Sequence, residues 1–195
     1  MCGSPLGRRV RRIIVFVSTT TQKNWTDDEL LALSGEGKYE LVDGELVHVS
    51  PAGARHGRIV ADLLIRIGVF LKETKLGQVF DGQTGFRLRD NLRSPDISFV
   101  AGARLTGGVP EGFLHVAPDL AVEVLSPADR AGEVAHKVGE YLGVGVRLLW
   151  VVDPAKGAAV IYRPGQAPRT IRLDGALEGE DVLPGFSCPL RELLG

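Results

Sequence analysis

The sequence predicts one domain that mixes helices and strands, an α+β chain, and three observations carry that prediction. Asp43-Gly44 splits the apolar-rich stretch Lys38–Val49, and a two-residue Asp-Gly connection is the strongest short-range signal for a β-hairpin. Ala54–Lys75 repeats apolar residues every three or four positions, the period of an amphipathic helix. Asp119–Val152 runs from an apolar stretch through a helical pattern into a second apolar stretch. That spacing suits a crossover between parallel strands, although antiparallel neighbours fit it too.

The elements follow in order. Thr26-Asp27-Asp28-Glu29 is a capping box with acids in the first turn, ahead of Leu30, Leu31 and Leu33, and it starts a short helix. The hairpin comes next. In the long helix His56, Ile59, Val60, Leu63, Leu64, Ile67, Phe70 and Leu71 share one face, and Leu76-Gly77 is expected to end it. Gln83–Leu88 and Pro95–Val100 read as short strands, and Asp119–Leu125 reads as a strand buried on both faces. Ser126-Pro127-Ala128-Asp129 then supplies a cap, a proline at the first helical position and an acid three residues on. Val134, Val138, Tyr141 and Leu142 form the apolar face of the helix expected there, with Gly143 and Gly145 placed to stop it. Val146–Val152 is a further buried strand, and Val160–Arg163 with Arg169–Leu173 suggests a terminal antiparallel pair.

Composition narrows the class. The 195 residues are 44% apolar and 24% charged, the mix of a folded chain with a single core. No run approaches the roughly eighteen apolar residues of a membrane span. Cys2 and Cys188 stand near opposite ends and make no disulfide framework, so a cytoplasmic location is expected. Residues 1–24 hold five basic residues and no acid, whereas the remaining 171 hold 18 basic and 24 acidic residues. The body is therefore acidic, and nucleic-acid binding does not follow from overall charge. The run Ile13–Val17 is too short for a secretory core of roughly 7–15 residues. Residues 1–24 are read as a basic extension, loose or an over-long start, and residues 25–195 as the domain.

Chemistry is suggested by acids in costly places. Glu123 lies inside Leu120-Ala121-Val122-Glu123-Val124-Leu125, where an ionised carboxylate has to be paired or bound to a cation. Asp96 follows Pro95 at the start of Ile97-Ser98-Phe99-Val100. Two carboxylates entering one side of a sheet suit a hard divalent cation, and structural ion pairs are the plainer alternative. Lys137 falls at the edge of the apolar face of its helix. From there its stem could lie on the core with the ammonium toward the sheet, or it could pair with Glu133 at the surface. His56 is either a satisfied core residue or a group beside the acids. Glu40, alternating with Tyr39 and Leu41, is most simply solvent-facing.

Taken together, these residues resemble the Uma-two family of restriction-endonuclease-like proteins, within the PD-(D/E)xK nuclease superfamily. The likeness rests on Tyr39-Glu40-Leu41-Val42-Asp43-Gly44-Glu45-Leu46-Val47, His56, Thr84-Gly85-Phe86-Arg87-Leu88 and Ser94-Pro95-Asp96-Ile97-Ser98-Phe99-Val100. It continues through Ala117–Pro127, Lys137 with Tyr141, Trp150-Val151-Val152-Asp153-Pro154 and Leu183-Pro184-Gly185-Phe186. It implies a restriction-endonuclease-like fold, a central mixed sheet flanked by helices. It also implies a magnesium-dependent endonuclease, with DNA as substrate and Mg²⁺ (or Mn²⁺) held by Asp96 and Glu123. Lys137 is the implied active-site lysine, and Glu40, His56 and Tyr141 are implied to line the site. The lysine expected two residues after the acid is Leu125 in this chain, so Lys137 has to reach the site from the following helix. The alternative is a catalytically inactive binding or regulatory module on the same fold. By analogy with related nucleases, a homodimer is expected.

Overall fold

The computed structural model describes residues 24–35 and 37–195, so most of the basic extension lies outside the described residues. Thr26 starts helix α1 (Asp27–Ala32), its side chain accepting from Glu29 N while the Glu29 side chain accepts from Thr26 N. Strands β1 (Lys38–Val42) and β2 (Glu45–Val49) form the expected hairpin. Its turn residues Asp43 and Gly44 both have positive φ, 51° and 83°, the conformation that a tight two-residue hairpin needs. Helix α2 (Ala54–Thr74) buries Ile59, Leu63, Ile67 and Leu71, one residue per turn.

The helix end differs from expectation. Lys75 takes the left-handed conformation and closes α2, and Gly77 instead opens strand β3 (Gly77–Asp81). A Cβ on Gly77 would sit 2.1 Å from the carbonyl oxygen of Val100, so the glycine permits close approach of two backbones and does not cap the helix. Residues 83–85, expected at the start of a strand, lie outside any strand, and pairing begins with β4 (Phe86–Leu88) and β5 (Asn91–Arg93). Strands β6 (Ile97–Ala101) and β7 (Leu120–Val124) follow.

Ser126-Pro127-Ala128-Asp129 also departs from its predicted role. Asp129 N donates to Ser126 O while the Asp129 carboxylate accepts from Ser126 N at 2.6 Å. The motif closes a turn, and helix α3 (Ala131–Gly143) begins beyond it with no side-chain cap bond at Arg130. Gly145, at φ 98°, turns the chain into β8 (Leu148–Asp153). The chain continues through β9 (Ala158–Tyr162) and β10 (Arg169–Arg172), the expected antiparallel pair. A small hairpin of β11 (Ala176–Glu178) and β12 (Ser187–Pro189), then helix α4 (Leu190–Leu194), complete it. These last three elements were not legible in the sequence.

Six strands make one sheet in the order β10-β9-β8-β7-β6-β3, and four make a second in the order β2-β1-β5-β4. Among the named strands of the described residues, β7 and β8 alone pair parallel, across α3, which settles the crossover in favour of the parallel reading. Strand alternation sends Ile97, Phe99, Leu120, Val122, Leu148 and Trp150 to the core shared with α2 and α4. The opposite face carries Val100, Ala121, Leu149 and Val151 against Tyr141 of α3 and Phe86 and Leu88 of the smaller sheet. The chain therefore has the expected mixed sheet between helices. Among the described residues no helix is long and apolar enough to cross a membrane.

Candidate active site

The two acids meet because of strand register. Ile97 of β6 pairs with Val122 of β7, so one further step along an antiparallel ladder sets Asp96 opposite Glu123 on the same face. Asp96 Oδ2 accepts from Val124 N at 2.7 Å, a bond that ties its side chain to the neighbouring strand. His56, in the first turn of α2, brings Nε2 to 3.1 Å from the same oxygen. Asp96 Oδ1 has no hydrogen bond among the described residues.

Glu123 is held from above by α3. Lys137 Nζ donates to Oε2 at 3.1 Å and Tyr141 Oη donates to Oε1 at 2.7 Å. The two donors are one helical turn apart, the spacing that puts both on one side of the helix. Lys137 therefore pairs with the strand acid, and its predicted surface partner Glu133 is not the group it meets. Burial pushes the Glu123 carboxyl above its ordinary value against the pull of Lys137, and the charge of Asp96 adds to the push. Burial pulls the Lys137 ammonium down, but the charges of Glu123 and Glu40 more than restore it. Burial and the Glu123 charge raise the Tyr141 hydroxyl well above its usual range, so it stays a donor at neutral pH.

Glu40 is not solvent-facing. Its side chain is 6% exposed, accepting from Arg93 Nη1 at 3.0 Å and from Ser94 N at 3.1 Å. The alternation rule failed because β1 is buried on both faces: Leu41 packs with Leu30 and Leu92, while Glu40 is buried against Arg93. All six residues singled out in the sequence, Glu40, His56, Asp96, Glu123, Lys137 and Tyr141, line one cleft of about 810 Å³.

The hydrogen bond to Asp96 raises the His56 imidazole above its ordinary value, against the lowering effect of burial. A raised folded-state value contributes stability that is complete below the unfolded value, about 6.5, and is lost as pH climbs through the folded one. The gap in urea-unfolding free energy between wild type and His56→Gln is therefore expected to shrink as pH rises from 5.5 to 8.5. A gap that widens over that range would contradict the assignment.

A divalent cation fits the donor set in part. Among the described residues no three His, Cys, Asp or Glu side chains form a metal cage. Magnesium does not need one, since it keeps several waters and uses one or two carboxylates together with substrate phosphates. Asp96 through Oδ1 and Glu123, whose burial beside a second acid disfavours its charge, are the residues that would hold it.

Arg55, Arg58, Arg87, Arg89 and Arg93 each have a partner within the chain. Arg93 is buried between Glu40 and Glu140. Arg87 bonds Trp25 O and faces Asp27, and Arg89 bonds Gly143 O. Arg55 and Arg58 of α2 bond Pro154 O and Leu193 O. Glu140, which grips Arg93, was missed in the sequence because it stands beside the apolar face of α3 and looks like any surface acid.

With this geometry in view, the family comparison is decisive. The Uma2 family model, described as "Putative restriction endonuclease", matches residues 27–191. The chain belongs to the Uma2 family. Among solved structures, this Uma2 protein is similar to a crystal structure described as "a putative nuclease belonging to DUF820" from Anabaena variabilis ATCC 29413. The TM-score is 0.77 at 22% identity, over 87% of this chain and 97% of that one, a likeness of fold. No curated protein matches the chain.

Proposed function

We propose that this Uma2 protein is a metal-dependent endonuclease that hydrolyses DNA phosphodiester bonds, with Asp96 and Glu123 as the cation ligands. The observation that carries the reading is the position of Lys137. Its ammonium lies 3.1 Å from Glu123 in the cleft that also holds Asp96, so a lysine from α3 takes the place that Leu125 leaves empty of charge. A Mg²⁺ or Mn²⁺ held there would supply positive charge to a phosphate oxygen and make a neighbouring water more acidic.

The protein groups divide the remaining work. Asp96, which lines the cleft, is held through Oδ2 by Val124 N and His56, and Oδ1 is left for a cation. Tyr141 holds one Glu123 oxygen and leaves Lys137 on the other. The ammonium is then placed to orient the attacking water or to offset charge growing on the phosphate as the bond to the leaving oxygen breaks. Because residues 25–195 carry 24 acidic against 18 basic residues, DNA affinity without metal is expected to be weak. A cytoplasmic location and paired copies acting on the two strands are part of the same proposal.

The second reading, a binding module without catalysis, has one observation in its favour: Lys137 and Tyr141 already satisfy both Glu123 oxygens. Incubation of supercoiled plasmid with the protein and Mg²⁺ or Mn²⁺ separates the two. The nuclease is expected to nick the plasmid, Asp96→Ala and Glu123→Ala are each expected to abolish nicking, and Lys137→Ala is expected to slow it by about a hundredfold or more. Unchanged activity in the Asp96 or Glu123 variant would overturn the metal-site assignment, and an intact plasmid with wild type would favour the binding module.

A further inference from the structure

Helix α3 carries two of the site's donors, and Val134 and Val138 pack it, partly buried, against the core beside Tyr141. Tyr141 is its one buried residue and its N-terminus has no side-chain cap bond. Polar bonds from the smaller sheet grip it as well. Asn91 and Arg93 stand at alternate positions of β5, the period that points side chains the same way, and Arg89 stands in the turn before it at φ 57°. Arg89 Nη2 donates to Gly143 O at 2.9 Å and Asn91 Nδ2 donates to Glu140 Oε1 at 2.7 Å. Arg93 donates to Glu140 Oε2 from Nε at 2.8 Å and again from Nη2, and its remaining nitrogen, Nη1, donates to Glu40.

Glu140 is one residue from Tyr141 and three from Lys137, so any rotation or slide of α3 that moves the ammonium also breaks these bonds. A guanidinium bound through two nitrogens fixes direction as well as distance. Arg93 lies three residues before Asp96 in the segment Arg93-Ser94-Pro95-Asp96, and the Ser94 amide is itself tied to Glu40. We propose that Arg93 and Glu140 are positioning residues: their bond sets α3 against the Asp96 segment so that Lys137 and Tyr141 meet Glu123. The role of Lys137 in turnover rests on the nuclease reading; the placement of Lys137 does not.

Glu140→Gln tests this with little change of shape. One carboxylate oxygen becomes an amide nitrogen, which then faces either the Asn91 donor or the Arg93 donors. The kcat for plasmid nicking is expected to fall about tenfold to a hundredfold, as for a small misplacement of a reacting group. KM is expected to change by less than about twofold, the signature of an interaction felt in turnover and not in ground-state binding. In a Lys137→Met background the same change is expected to cost nothing further. Competitive acetylation read by mass spectrometry gives a readout independent of activity: labelling of Lys137 relative to Lys156 is expected to rise severalfold in Glu140→Gln. If that variant unfolds, Asn91→Ala, which removes a single bond to the same carboxylate, is read in the same way.

The outcomes separate. Wild-type protein that leaves plasmid intact, with the labelling change present, would overturn the nuclease and support the clamp. Wild-type nicking, with kcat and Lys137 labelling unchanged in a folded variant, would overturn the clamp and leave the nuclease standing.

Discussion

Lys137→Met is expected to slow plasmid nicking by about a hundredfold to a thousandfold, the usual cost of removing one charge-stabilising donor from an active site. The same variant is expected to bind Mn²⁺ more tightly than wild type. The ammonium sits 3.1 Å from Glu123 Oε2 and competes with a cation for that carboxylate's charge, so its removal leaves Asp96 and Glu123 facing the cleft with less compensation. Tyr141 still holds Oε1, so the glutamate keeps its place. Turnover measured beside Mn²⁺ titration by electron paramagnetic resonance makes the check. Slower nicking with weaker metal binding would mean that Lys137 serves only to support the ligands.

Arg93→Met is expected to cost about 3–5 kcal/mol of stability, because it strands two buried carboxylates without their shared cation. The Glu40 and Glu140 side chains are 6% and 10% exposed, and that of Arg93 is 5% exposed, so water does not readily take its place. Adding Glu40→Gln and Glu140→Gln is expected to recover most of the loss. Arg66 provides the contrast. It also bridges two acids, Asp62 and Glu192, but at the surface, and Arg66→Met is expected to cost about 1 kcal/mol or less. Urea denaturation of the three variants decides, and a loss at Arg93 no larger than that at Arg66 would show that the buried cluster is hydrated.

Local chemistry was the part of the fold most visible in the sequence. The Thr26 capping box, the Asp43-Gly44 turn and the one-per-turn stripe of α2 each depend on residues a few positions apart, and each formed as read. Errors arose where a distant strand decided, or where one local motif served two kinds of turn. Gly77 looked like a helix stop because nothing nearby in sequence reveals the Val100 carbonyl against it. Ser126–Asp129 has the composition of a helix start, but its carboxylate and hydroxyl satisfy the turn's own amides first.

The candidate site divides in the same manner. Asp96 and Glu123 stood out because an acid in an apolar strand demands a partner, and that demand is written in the strand itself. Glu40 was misjudged because its burial depends on β5, some fifty residues away. Glu140 gave no sign at all, since it stands on α3 and its partners Asn91 and Arg93 are on the smaller sheet, nearly fifty residues away.

The parallel pairing of β7 with β8 has a consequence for the timing of synthesis. Glu123 reaches its place only when β7 is flanked on both sides, by β6 made earlier and by β8 made some 25 residues later, with α3 between them. Contacts of such long range close late and slowly compared with a hairpin or a single helix. A ribosome that has finished Glu123 has therefore not yet made Lys137, Tyr141 or the strand that braces them. On the nuclease reading, the growing chain stays harmless to nucleic acid until its second half has emerged and docked.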